Sequence, residues 1–159
     1  RPEVEEKIKK IAREMGYQPS RAGRALAMAK RKIRIGVILQ YMTTPFMQQV
    51  LKGVLEAKEE VESFGGTVKI YEIDGVEPKK VMAAMEELRE KGFNGIALTP
   101  SEDQLLRARI DQYQEEYGIP VVTFNADLED TKRLCFVGQD TFQAGRTAAG
   151  LMGEMTGGN

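Results

Sequence analysis

The chain contains no histidine and a single cysteine. Without a second thiol it can form no internal disulfide, and without imidazoles it holds no cluster of the zinc-binding kind. Histidine is also the usual base of a nucleophilic triad, so that route to catalysis is closed. No apolar run approaches the ~18 residues that a membrane-spanning helix needs, and the opening RPEVEEKIKK has no signal-peptide core. A cytoplasmic location is the resulting expectation. There is also no G-x-x-x-x-G-K-[ST], no G-x-G-x-x-G after a strand and no G-x-S-x-G. Paired carboxylates such as Glu59/Glu60 and Glu86/Glu87 fall on helical stretches and read as solvated faces. Neither a cofactor nor catalysis is expected.

Acidic residues are missing from one long stretch. None occurs between Glu14 and Glu56, where Arg21, Arg24, Lys30, Arg31, Lys32, Arg34 and Lys52 do. Residues 1–32 carry ten Lys and Arg against four Glu, a net of +6, and the rest of the chain carries 13 basic and 20 acidic residues, a net of −7. A basic head on an acidic body points to a polyanion-facing end.

With 159 residues, 42% of them hydrophobic, the chain can bury one ordinary core plus a short appendage. It starts without Met and stops at MTGGN, which reads as a piece of a longer protein. Val4, Ile8, Ile11 and Met15 recur at helical spacing, and Gly16 suits the position after the helix. Such a narrow apolar stripe makes a helix that is marginal alone. After GYQP, Ser20 can cap a second short helix, in which Gly23 costs roughly 1 kcal/mol relative to Ala.

From Ile33 strands and helices alternate. IRIGVIL, TVKIYEI, GIALTP, PVVTF and RLCFVG read as strands. Helices are expected from about Pro45 to Phe64, Pro78 to Lys91, Glu102 to Tyr117 and Thr141 to Met155. Short apolar strands separated by amphipathic helices imply an α/β fold with a parallel, doubly wound sheet. Binding sites of such sheets lie beyond the carboxyl ends of the strands. Those ends carry QYMTTPF, TPSED, NADLED and GQDT, rich in hydroxyls, amides, carboxylates and an aromatic. Thr43, Thr44, Thr99, Ser101, Asn125, Asp127, Gln139 and Asp140 could converge on a polyhydroxylated ligand, with Phe46 as the apolar wall for a sugar ring. Plainer roles stay open: Asp140 as a helix cap, Asn125 as a turn residue, Phe46 as core. In the basic helix, Arg21 and Arg24 could face phosphates while an exposed Leu26 wedges between base steps in a minor groove.

The order REMGYQPSRAGRALA, IGVI, PF, IPVV and VGQDTFQAGRTAAGLM resembles the lactose-repressor (LacI-type) family of bacterial transcription regulators along essentially the whole chain. The resemblance implies three parts: residues 1–18 as the last headpiece helix, 19–32 as hinge helix and linker, and 33–159 as the amino-terminal lobe of an effector domain. It implies operator DNA, a sugar or polyol effector and a second copy of the chain as partners. Ser20, Arg21, Arg24 and Leu26 would face DNA, with Leu26 matching the minor-groove lever and Tyr17 packing headpiece to hinge. Thr44, Phe46, Ser101, Asn125, Asp127 and Asp140 would face effector. The recognition helix would precede Arg1, and a second lobe would follow Asn159. There are departures: Ala22 and Gly23 replace residues that favour the hinge helix, Ala27 stands at a groove-contact position, and Asn125-Ala126 replaces the Asp-Arg pair of many sugar binders. The effector part is also similar to periplasmic sugar-binding proteins, which share its fold. Such a transport protein is the alternative, and a sugar-modifying enzyme of similar fold is the third class.

Overall fold

Alternation of short β-branched runs with helical repeats produces the expected layers. A computed structural model describes residues 2–16, 23 and 33–157. The elements are α1 (Pro2–Glu14), β1 (Arg34–Leu39), α2 (Pro45–Ser63), β2 (Thr67–Glu72), α3 (Pro78–Glu90), β3 (Gly95–Leu98), α4 (Gln104–Glu115), β4 (Val121–Phe124), β5 (Cys135–Val137) and α5 (Thr141–Thr156). The expected strands are all present, and the expected helix ends move by one or two residues. Phe64, for instance, is the cap of α2 and not its last turn. The expectations for Tyr17, Ser20, Arg21, Arg24 and Leu26 lie outside the described residues.

The five strands pair in parallel in the order β2-β1-β3-β4-β5. The step from β1 to β2 runs one way and the steps to β3 and β4 run the other. Right-handed crossovers therefore put α2 on one face and α3 with α4 on the opposite face. Two separate cores follow. Ile38, Ile96, Leu98 and Val121 meet Val81, Met85, Leu88, Leu106, Ile110 and Tyr113 on the α3/α4 face. Val37, Leu39 and Val68 meet Met47, Val54 and Val61 on the α2 face. Val37, Ile38 and Leu39 divide between the two cores because successive strand side chains point to opposite faces.

The connection from β4 to β5 contains no helix, and on the α2 face the sheet is left uncovered beyond α2. Val37, Val54, Ala97, Val122, Phe124 and Val137 line an open apolar groove there of about 330 Å³. Helix α5, expected as the last helix of the lobe, buries none of its residues. Its Phe142, Leu151, Met152 and Met155 are exposed, as are Val4, Ile8 and Ile11 on α1 and Met15 just after it. No helix among the described residues is long and apolar enough to cross a membrane.

The edge strand β2 carries a charged guard of the kind that blunts unwanted pairing. Lys69 donates to Glu87 on α3 at 2.7 Å and lies over the Tyr71 ring, while Lys91 also donates to Glu87. The Lys69 hydrogen bond, joined by the one from Lys91, holds the Glu87 carboxyl at about 2, below its ordinary 4.5. A depressed carboxylate adds stability above its unfolded value and loses that stability as pH falls toward the folded one. The stability gap between wild type and Glu87→Gln is thus expected to be constant above pH 4.5 and to close as pH falls toward about 2. Urea denaturation across that range measures it.

Candidate functional site

β1 and β3 are neighbours whose following chains leave in opposite directions, which opens a crevice at their carboxyl ends. A fully buried amide closes its floor. The Gln40 backbone N–H donates to Thr99 Oγ1 at 2.8 Å, its Nε2 donates to the Thr99 carbonyl at 2.7 Å, and its Oε1 accepts from Glu77 N at 3.3 Å. Thr99 therefore belongs to the floor and not to the open side. Gln40 escaped the sequence reading because a lone glutamine after an apolar run looks like the first loop residue.

On one side of this crevice, Thr44 caps α2. Its hydroxyl accepts from Met47 N at 3.2 Å and donates to the Tyr41 carbonyl at 3.0 Å. Pro45 occupies the first turn, where a missing N–H costs nothing, and turns Phe46 outward with 59% of its surface exposed. Phe46 is thus not core. In TPSED, Asp103 performs the capping, accepting from Leu106 N at 2.9 Å. Ser101 is left free of that duty: its Oγ is buried and has no hydrogen-bond partner among the described residues. A buried hydroxyl in that state costs about 1–3 kcal/mol unless something polar reaches it.

The loops after β4 and β5 form the other side. Asn125 has φ of +67°, and the Ala126 N–H closes a three-residue turn on the Phe124 carbonyl at 2.8 Å. Asn tolerates this left-handed conformation better than most residues. Its Nδ2 lies 3.7 Å from Met47 Sδ, which brings the β4 loop against the start of α2. Asp127 looks inward: Oδ1 accepts from Thr123 Oγ1 and Leu128 N, both at 2.8 Å, and Oδ2 accepts from Arg133 Nη2 at 2.6 Å. Asp140 caps α5, its Oδ1 accepting from Gln143 N at 2.9 Å.

Asn125, Asp127, Phe136, Gly138, Asp140 and Phe142 line an open depression of about 600 Å³. The structure so brings together three of the six expected ligand-facing residues. Thr44, Phe46 and Ser101 do not line this depression. Its apolar walls are Phe136 and Phe142, neither of which the sequence reading singled out. A signal was present: Phe136 and Gly138 stand two apart on extended chain, hence on one side. A Cβ on Gly138 would meet the Phe136 ring at 2.2 Å, so only glycine lets that ring lie where it does.

Carboxylates and an amide beside aromatic faces accept hydrogen bonds from hydroxyls and give a ring's C–H face something to stack on. With Asp127, Glu129 and Asp140 around the rim, an anion is disfavoured. Among the described residues no group of three His, Cys, Asp or Glu could hold a metal ion.

Known proteins share this fold. A family profile described as "Periplasmic binding protein domain" matches residues 35–159. The ribose import binding protein RbsB of Bacillus subtilis (strain 168) is 23% identical over 140 residues, covering 88% of this chain and 43% of its own length. The solved structure of AraP, an arabinose binding protein from Geobacillus stearothermophilus, superposes with a TM-score of 0.60 at 25% identity, over 78% of this chain and 42% of that one. A putative LacI transcriptional regulator from Bacteroides fragilis does so with a TM-score of 0.63 at 24% identity, over 78% and 43%. The chain spans less than half the length of each of these relatives.

Proposed function

Because the chain belongs to the periplasmic binding protein domain family over residues 35–159, we propose that its strand-end depression is part of a binding site for a sugar or polyol. The observation that carries this reading is the meeting of Asn125 and Asp140 with the Phe136 and Phe142 rings in one depression. The names of RbsB and AraP, a ribose and an arabinose binder, support the same ligand class and favour a sugar-import binding protein as the whole. Thr44, Phe46 and Ser101 belong to the same proposal as contacts on the far side of the crevice. Ligand then meets polar groups from both sides of the β1/β3 switch point.

Asp140 separates binding from capping. An Asn at an N-cap serves as well as an Asp, whereas Ala there costs about 0.5–2 kcal/mol. Asp140→Asn in the intact protein is therefore expected to keep its stability and to lose sugar affinity, while Asp140→Ala loses both. Titration calorimetry with a panel of pentoses, hexoses and polyols checks this. If Asp140→Asn binds as wild type does, Asp140 is a cap and nothing more.

A second reading, a ligand-responsive DNA-binding regulator of the LacI type, is favoured by the amino-terminal segment. Its net charge of +6 over residues 1–32 suits phosphates, and a sugar-import protein gives no reason for it. The apolar stripe of α1, with Ile8 62% and Ile11 45% exposed, suits a helix that packs inside a larger DNA-binding unit. In this reading residues 1–18, 19–32 and 33–159 act as headpiece helix, hinge and sensing lobe of a cytoplasmic homodimer, with Ser20, Arg21, Arg24 and Leu26 on operator DNA. Fluorescence anisotropy of intact protein on duplex DNA decides it. Binding that weakens steeply with salt and with Leu26→Ala supports the regulator, and its absence leaves the import protein.

A further inference from the structure

The pairing of Asp127 with Arg133 has a consequence for Asn125. Asn125 sits at the centre of a left-handed three-residue turn, which is a strained conformation that persists only when its surroundings over-determine it. One restraint is backbone: the Asn125 N–H donates to the Val137 carbonyl on β5 at 3.0 Å. The others run through Asp127, two residues on. Its Oδ1 reaches back to Thr123, a fully buried residue of β4, and forward to the N–H of Leu128, which is 1% exposed. Its Oδ2 accepts from Arg133, just ahead of Leu134, whose own N–H donates to the Val121 carbonyl at 2.7 Å. The carboxylate thus ties the end of β4, the strained turn and the approach to β5 at one point.

Both partners are largely shielded from water, with side-chain exposures of 20% for Arg133 and 18% for Asp127. Arg133 Nε is buried without a hydrogen-bond partner among the described residues, so the Asp127 contact carries the orientation of the guanidinium. Removing the cation would leave a half-buried carboxylate unpaired, and the turn could relieve that by swinging Asp127 out to water. Asn125 would move with it.

We infer that Asp127 and Arg133 form a positioning clamp that holds Asn125 toward the ligand depression, so that Arg133 sets ligand affinity without lining the site. This deepens the proposed binding function and rests on it, and it gives Asp127 a positioning role in place of a ligand contact. A clamp of this kind makes a discriminating prediction: Arg133 matters only while Asn125 is present.

The test uses the intact protein and the variants Arg133→Met, Arg133→Lys and Asn125→Ala. Amide hydrogen exchange at Asn125 and Ala126, followed by NMR without ligand, is expected to quicken about tenfold in Arg133→Met, on the scale of coupling within one network. Arg133→Lys, which restores a cation, is expected to recover most of the protection, and exchange at Ile38 in the core stays unchanged. Unchanged exchange at Asn125 and Ala126, or a uniform rise across the sheet, overturns the clamp. In titrations with D-ribose, Arg133→Met is expected to weaken binding about tenfold in wild type and not at all in the Asn125→Ala background. Additive losses overturn the positioning role. If D-ribose does not bind wild type, that arm counts against the sugar reading, and the exchange arm still decides the clamp.

Discussion

Asn125→Gly is expected to fold at least as stably as wild type and to bind its sugar or polyol roughly thirtyfold or more weakly. The two halves of this result come from different physics. At φ of +67° a side chain with a Cβ is strained, and glycine is not, so the backbone gains by the change. The amide is lost, however, and a ligand hydroxyl left unpaired where it is shielded from water costs about 1–3 kcal/mol, which is up to roughly two orders of magnitude in affinity. Asn125→Ala loses the same amide and, lacking the local side-chain hydrogen bonding that lets Asn adopt a left-handed conformation, bears more of its cost of about 1–2 kcal/mol, so it is expected to be both weak in binding and less stable. A residue present only for its turn geometry behaves otherwise. Asn125→Gly would then bind as wild type does, and calorimetry with thermal unfolding separates the two cases.

The second large effect is expected in the core, at Gly36 in the centre of β1. A Cβ there would lie 2.2 Å from Leu88 Cδ1 and 2.9 Å from its Cγ. Leu88 is fully buried on α3 among Ile38, Met85 and Phe93, so it has little room to yield. The absent side chain of Gly36 is the socket for Leu88, and this contact sets how closely α3 approaches the sheet. Leu88→Ala is expected to cost about 2–5 kcal/mol through lost burial and the cavity left behind. Gly36→Val is expected to cost about 1–3 kcal/mol or more through overpacking. Gly36→Ala combined with Leu88→Ala should cost less than the sum of the two single changes by about 1 kcal/mol, because the added methyl occupies part of the cavity. Urea denaturation of wild type, Gly36→Ala, Leu88→Ala and the double variant measures the coupling, and strict additivity would mean that the two residues do not meet.

The sheet was legible because its signals are local and repeated. Each strand is a short apolar run and each helix a 3.6-residue pattern, and right-handed crossovers leave little freedom in arranging them. Helix starts were legible to within two residues, and at Asp140 the cap itself was open to reading. In TPSED the helix is expected from about Glu102, whereas the structure starts it at Gln104 with Asp103 as its cap and leaves Ser101 free. The site was half legible. Strand ends point to loops, but convergence depends on how those loops turn, and a left-handed turn at Asn125 followed by an inward Asp127 is set by Thr123, Leu128 and Arg133 together. Phe136 and Phe142 were passed over because a phenylalanine in a strand or helix is ordinarily core. α5 forms where the sequence places it, yet it buries nothing within the described residues. The resemblance to LacI-type regulators reaches further than the family membership itself, which covers the lobe from residue 35 onward and leaves the basic segment to experiment.

The depression between the β4 and β5 loops is proposed to take a neutral, hydroxylated ligand. Differential scanning of the intact protein against a panel of pentoses, hexoses and polyols tests it most directly, since a ligand bound only by the native state raises stability by about 2.7 kcal/mol at a hundred times its Kd. At least one sugar or polyol is predicted to raise Tm progressively with concentration in wild type and to raise it far less in Asn125→Gly or Asp140→Asn at the same concentrations. A panel that leaves wild type unmoved, or a sugar that stabilises all three proteins equally, would contradict the account.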